Sequence, residues 1–444
     1  MDKIVNQLYE HASEVGSKGL DSTVLDEIKK RIADSIITSY GARNAPPVAI
    51  EKRALLPSSG KHNSPVYFTG REASVDLATF MNGSMTRYLD YNDTYLSKEA
   101  LHPSDNVPPI LSMAFAKDLS GMDAAKAVTV AYDVVGALSD AVSIRDRGWD
   151  HVTYISISSA AGLGLLLDFD YSKYENLINL AINNNISLRQ TRAGELSMWK
   201  GCTASDASRN SVFAALLAME GFTGPSPIFT GEMGFFKQVS GEFALDLKPG
   251  KVLRTMIKNF PVEYHAMSAA EVALNLRNKL EGKIEKVEVE TFEVAHKIII
   301  KDPEKLRPKT RETADHSMPY IVAYTLKNGA PNPNSYDEAY LKDPEILRIV
   351  DVSSYKVTQK FNEMYPENLP VKIKVTTDKG VLEEEMDVPK GHFKKPYTWE
   401  DLENKGKAVM GETNAKILVE FVRNFEKRSV RELFEVISDV NFKG

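Results

Sequence analysis

Five stretches of the 444-residue chain gather residue types that can move a proton or hold an anion. In the first, Asp90 and Thr94 lie four apart where a helical pattern ends, and His102 follows in a loop. If the last turn persists, a carboxylate, a hydroxyl and an imidazole converge on one face. An imidazole titrates near neutrality and a carboxylate can fix its tautomer, so this set suits proton transfer with His102 oriented by Asp90. The bland alternative is a helix cap at Asp90 with His102 in a turn. The second stretch, RDRGWDH, ends at His151, before a helix expected to open at Ser156 or Ser158, where free N–H groups favour a bound anion. In the third, Arg189 to Gly201, Lys200 offers an ammonium to a carboxylate and Gly201 lets backbone approach a ligand. Its alternative is an ion pair between Lys200 and Glu195. The fourth holds Lys258 and His265, and the fifth Tyr320, each at or near a change of texture in the chain, a favoured place for pockets. Tyr320 equally suits a hydrogen-bonded core tyrosine.

Composition narrows the chemistry. With 55 Lys and Arg against 61 Asp and Glu, the net charge is −6, and 43% of residues are hydrophobic, enough for a full core. An acidic balance lacks the basic stripe that nucleic-acid binding requires, so no nucleic-acid partner is expected. The longest apolar run, near Ala160 to Leu167, is far shorter than the roughly 18–20 residues needed to cross a bilayer, so no membrane association is expected. The opening MDKIVNQLYEHASEV has no apolar signal core and is not Arg-rich and acid-poor, which points to a cytoplasmic protein. Cys202 is the only cysteine, so an intrachain disulfide, a Cys-based zinc site and an iron–sulfur cluster needing several thiolates are out. No two of the eight histidines stand at H-x-H or H-x-x-x-H spacing, and no metal site is expected.

These residues need elements to hold them. Up to His265 the pattern is helical almost throughout. Asp21 caps a helix with Leu25, Ile28, Ile32 and Ile36 on one stripe, Val75 to Leu89 repeats that spacing, and Pro108 and Pro109 suit a first turn. Helices are also expected over Asp123 to Val142, Tyr174 to Ile186 and Ser205 to Glu220. After His265, Lys283 to Phe292 alternates as a strand, and Pro370 to Val388 reads as two strands joined at Asp378-Lys379-Gly380. Helices are expected through Met318 to Leu326 and Asp343 to Val350, and again beyond Trp399. The fold class is mainly α, a large all-helical domain (1–265 and 401–444) with a smaller α+β lid domain (266–400).

The wording of these stretches resembles one family. LDYNDTYLSKEALHPSDN, GWDHVTYISISSAAGLG, LRQTRAGELSMWKG, GPSPIFTGEMGFF, KNFPVEYHAMSAAE, RETADHSMPYIVA and PKGHFKKPYTWEDLENKG, between Leu89 and Gly406, resemble the MmgE/PrpD family. The resemblance implies a homodimer and a cofactor-independent site in the cleft between a helical domain and a lid. It places the family's Asp and Thr on Asp90 and Thr94, its histidines on His102 and His151, its lysine on Lys200, a further Lys and His on Lys258 and His265, and its Tyr on Tyr320. Asp90, Thr94, His102, His151 and Tyr320 are the catalytic candidates; Lys200, Lys258 and His265 are the substrate-binding ones. Such members act on polycarboxylates as dehydratases, decarboxylases or epimerases. The HPSDN and ADHSMPY wording looks most like the dehydratase branch, which implies loss of water from a small tricarboxylate, 2-methylcitrate, with citrate a poorer substrate. A decarboxylase of cis-aconitate and a catalytically silent polycarboxylate-binding protein are the alternatives.

Overall fold

The Asp21 side chain accepts the backbone N–H groups of Thr23 and Val24, so the helix that follows starts with two of its orphan donors satisfied. The same logic recurs along the computed structural model, which describes residues 2–194 and 196–442. The helices of the first half are α1 Lys3–Lys18, α2 Ser22–Ala42, α3 Pro46–Leu55, α4 Val75–Tyr88, α5 Val107–Ala116, α6 Gly121–Ala141, α7 Val152–Leu166, α8 Tyr171–Asn184 and α9 Thr203–Met219. Helix α5 carries Pro108 and Pro109 in its first turn, where a missing N–H costs nothing. Helix α6 opens on a capping box between Ser120 and Asp123.

The chain forms two compact units. One comprises Met1–Gly194, Met198–Ile257 and Thr398–Gly444; the other comprises Glu195–Ser197 and Lys258–Tyr397. In the first, α6, α7 and α9 form the centre, and their Ala, Gly and Ser residues let backbones approach closely. A Cβ added to Gly162 of α7 would stand 2.6 Å from the Ala127 carbonyl oxygen of α6. The helices Trp399–Met410, Glu412–Arg423 and Val430–Phe442 return to this unit. Two short hairpins, Asn63–Val66 with Arg71–Ser74 and Tyr95–Leu96 with Ala100–Leu101, interrupt what the periodicity reads as helix.

The second unit is built on a mixed four-stranded sheet in the spatial order Ser353–Val357, Ile284–Thr291, Val371–Thr377, Gly380–Met386. The last two strands pair antiparallel across the expected turn, whereas Ser353–Val357 pairs parallel with Ile284–Thr291 and was not foreseen. Helices Met267–Arg277 and Met318–Asn328 belong to this unit. Among the described residues the fold is mainly α, with this mixed sheet and the two hairpins. Among the described residues, no helix is long and apolar enough to cross a membrane.

Candidate active site

Helix α4 ends before the face that would have aligned Asp90 with Thr94. Leu89 closes it, and Asp90 leaves at φ 51°, a left-handed conformation that Asp tolerates better than most residues because its short polar side chain bonds locally. Thr94 instead exchanges both backbone hydrogen bonds with Met256, at 2.9 and 2.8 Å. The Tyr95–Leu101 hairpin then returns the chain, so that His102 stands beside Asp90 and Thr94 after all.

His102 is fixed through Nδ1. That nitrogen lies 2.7 Å from the Asp93 carbonyl oxygen and 3.2 Å from Thr94 Oγ1. A carbonyl only accepts, so Nδ1 carries the proton and Nε2 of the neutral ring keeps its lone pair. Nε2 faces Asp90 Oδ1 at 3.8 Å. The tautomer is therefore set by the Asp93 carbonyl, while Asp90 attends the other nitrogen. Asp90 is in turn held by Arg87 Nη1 at 2.5 Å, and Lys200 Nζ lies 3.9 Å from its second oxygen. All three charged side chains are buried. Lys200 reaches this position because Gly201 packs on the end of α4, where an added Cβ would stand 3.2 Å from Tyr88 Cα. Glu195, the alternative partner for Lys200, lies outside the described residues.

The loop that carries His102 is braced from beneath. Asp93 accepts the Ser104 N–H at 2.9 Å and the Tyr132 hydroxyl at 2.8 Å, and Asn92 donates to Ser104 Oγ at 3.0 Å. Burial pushes the Asp93 carboxyl up, against the pull of Arg31. Burial also pushes Asp105, which accepts from Asn92, up to about 7, against the pull of Arg87.

The second histidine sits at a helix start, one turn earlier than expected: α7 opens at Val152, and His151 is its cap residue. Asp150 ties this corner together. Its Oδ1 accepts the Val152 N–H at 3.1 Å and lies 3.1 Å from His151 Nδ1, while Oδ2 accepts Arg192 Nε at 2.9 Å. Burial alone would raise Asp150, but the Arg192 guanidinium, with the Val152 N–H, draws it down to about 2. Burial holds His151 well below its ordinary value, so the ring is neutral at pH 7. The His102 and His151 rings are 6.1 Å apart, centroid to centroid. The segment bearing Arg192 is brought alongside by a bridge between Trp149 and Leu188, with Gly148 turning the chain at φ 88°.

The first unit thus assembles Asp90, Thr94, His102 and Lys200, with His151 beside them. The remaining candidates belong to the second unit. There, Lys258 is fully buried, and His265 places Nδ1 2.7 Å from Glu263 and Nε2 3.2 Å from the Tyr365 hydroxyl. Burial pushes Glu263 up, yet His265, His316 and Lys258 bring it to about 2. Tyr320 lies in the core of this unit and donates to the Ser335 carbonyl at 2.7 Å; burial raises its phenol.

Comparison with known sequences gives the family. The MmgE/PrpD N-terminal domain matches residues 6–248, and the MmgE/PrpD C-terminal domain matches residues 260–426. The chain belongs to the MmgE/PrpD family. Its relatives include the mitochondrial 2-methylcitrate dehydratase of Yarrowia lipolytica, 29% identical over 357 residues, which are 73% of this chain and 68% of that protein. The 2-methylcitrate dehydratase of Escherichia coli K12 is 30% identical over 298 residues, 61% of this chain and 60% of that protein. That of Cupriavidus necator is 28% identical over 347 residues, 71% of this chain and 70% of that protein. The matches therefore span between 60% and 70% of the length of these relatives.

In this MmgE/PrpD chain the structure adds Arg87, Asp93, Asp150 and Arg192 to the residues that sequence reasoning selects. Asp150 and Arg192 lie inside the stretches that drew attention, and their opposite charges were the available signal. Asp93 gave none, because the group that matters most there is its backbone carbonyl.

Proposed function

We propose that the chain is a hydro-lyase that removes water from 2-methylcitrate to give 2-methyl-cis-aconitate, with citrate as a poorer substrate. The observation that carries this reading is the His102 imidazole, whose Nδ1 proton is held by the Asp93 carbonyl while Nε2 faces the buried Asp90. In the proposed reaction Nε2 takes the proton from the carbon next to a carboxylate. The C–H electron pair becomes the new double bond, and the hydroxyl departs as water on taking the same proton back from the imidazolium. Asp90 then stabilises the imidazolium that forms, and Lys200 offsets charge developing on the substrate carboxylate. His151 is proposed to attend the departing hydroxyl. The names of the relatives support the substrate, and the family resemblance supports a cofactor-independent site, a homodimer and a cytoplasmic location as parts of the same proposal.

The test is proton NMR of the purified, chelator-treated protein with racemic 2-methylcitrate, citrate and cis-aconitate in separate tubes. Conversion of 2-methylcitrate to 2-methyl-cis-aconitate, faster than any turnover of citrate, is the expected result. Itaconate from cis-aconitate would move the assignment to a decarboxylase, and no turnover of any of the three would remove the enzymatic reading. Activity lost on chelation and restored by added metal would overturn cofactor independence.

A further inference from the structure

Arg192 has three nitrogens and two partners among the described residues. Nε donates to Asp150 Oδ2 at 2.9 Å, and Nη1 donates to the Lys200 carbonyl at 3.3 Å. Nη2 is shut away from solvent without an acceptor, on a side chain that is only 10% exposed. His151 is in the same condition. Its Nδ1 lies 3.1 Å from the other oxygen of Asp150, and its Nε2 is buried without a partner on a residue 5% exposed. One carboxylate therefore brackets two groups, each left with one unsatisfied polar atom.

Each such atom forfeits its hydration, and a ligand that restores the missing bonds is one reason for keeping it. The chemistry of the two atoms specifies that ligand. A guanidinium N–H can only donate, so it calls for an acceptor, and a buried positive charge favours an anionic one. The neutral imidazole, with Nδ1 turned to the Asp150 carboxylate, presents an acceptor at Nε2 and calls for an O–H. A carboxylate and a hydroxyl on the same carbon supply both within one small unit.

We propose that Arg192 and His151 form a subsite for the α-hydroxycarboxylate portion of the substrate, in which the carboxylate accepts from Arg192 Nη2 and the hydroxyl donates to His151 Nε2. Asp150 is the positioning residue that sets the spacing of the two. The inference rests on the tricarboxylate reading above and adds to it a residue, Arg192, that decides which carboxylate is gripped. It also explains how substrate is told from product, since the dehydrated product has no hydroxyl to offer.

Calorimetric binding tests this, with citrate, the poorer substrate, and with propane-1,2,3-tricarboxylate, which lacks the hydroxyl. The unaltered protein should prefer citrate by about tenfold or more. Arg192→Met should weaken citrate by a similar factor. Arg192→Lys keeps a cation beside Asp150 but has one nitrogen in place of three and none for the ligand, so it should show the same loss with a thermal midpoint close to the parent's; it covers the case in which the methionine variant folds poorly. His151→Phe should bind the two ligands alike. Citrate affinity within twofold of the parent in the folded Arg192→Lys protein, or a retained citrate preference in His151→Phe, would overturn the subsite. If the unaltered protein binds neither tricarboxylate, the tricarboxylate reading itself fails; if it binds citrate and dehydrates 2-methylcitrate while Arg192→Lys is unchanged, only the subsite fails.

Discussion

A backbone carbonyl does at His102 what a carboxylate is often expected to do. Because the Asp93 carbonyl holds Nδ1, the proton-accepting nitrogen points toward Asp90, whose charge is balanced by Arg87 and faces Lys200. This decides the expected behaviour of a truncation. His102→Ala should lower kcat by about 10²- to 10⁴-fold, the usual scale for losing a positioned general base. The Asp93 carbonyl can then bind water, and the brace formed by Asp93, Ser104 and Tyr132 is untouched, so the thermal midpoint should change little. Steady-state kinetics beside a melting curve checks both; full activity in the folded variant removes His102 from the chemistry. The sequence holds Asp90, Thr94 and His102 in one stretch and Lys200 in another, and it is the family wording, not their spacing, that groups them. What was not legible was which nitrogen faces which partner. That depends on Asp90 turning left-handed and on a carbonyl three residues later, neither of which has a side-chain signature.

At the scale of elements, periodicity located the long helices well, since burial of one stripe is what each of them does. The capped α2 and the proline-led α5 were legible from their first turns. It failed where pairing, not periodicity, decides: the Tyr95–Leu101 hairpin is too short to alternate, and Ser353–Val357 forms a strand only because Ile284–Thr291 offers it a parallel edge. Packing between elements also leaves a titratable group that no local pattern announces. Glu51 on α3 is buried, accepts from Cys202 Sγ at 3.4 Å at the start of α9, and is also close to Ser84 of α4. Burial pushes its carboxyl up to about 7, with the nearby Ser84 hydroxyl and the Cys202 hydrogen bond opposing. The folded state therefore binds this proton more tightly than the unfolded chain, whose carboxyl titrates at the ordinary 4.5. The stabilisation is complete below pH 4.5 and is lost as the pH rises through about 7, by about 3 kcal/mol at most. Glu51→Gln stays neutral throughout. Its thermal midpoint relative to the parent should accordingly rise between pH 5 and pH 8, and a difference that stays constant over that range would show that Glu51 does not titrate in this window.

For the whole molecule, the question is what the C-terminal return contributes to a site made by residues 87–200. Lys405, on the returning helix Trp399–Met410, is buried against Asp34 of α2, with Nζ 2.6 Å from Oδ1. The same ammonium donates to the Tyr91 carbonyl at 2.8 Å and lies 3.7 Å above the Tyr91 ring. Tyr91 directly follows Asp90, so a residue more than 300 positions away holds the backbone on which the site's carboxylate turns. Neighbouring ties serve the return segment alone: Trp399 Nε1 donates to Asp26 at 2.9 Å, and Lys29 pairs with Glu426 at 3.0 Å. A buried pair is weak evidence of net stabilisation, but removing one partner leaves the other charge stranded, at a cost of about 3–5 kcal/mol. Lys405→Met should therefore lower the thermal midpoint strongly. Adding Asp34→Asn removes the stranded charge and should recover much of that loss. Turnover separates the two roles of the lysine. In the double variant the Tyr91 carbonyl still lacks its donor and the ring its cation, so kcat should remain well below the parent even where stability has returned. If stability and turnover recover together, the C-terminal segment supports the fold without shaping the Asp90 turn.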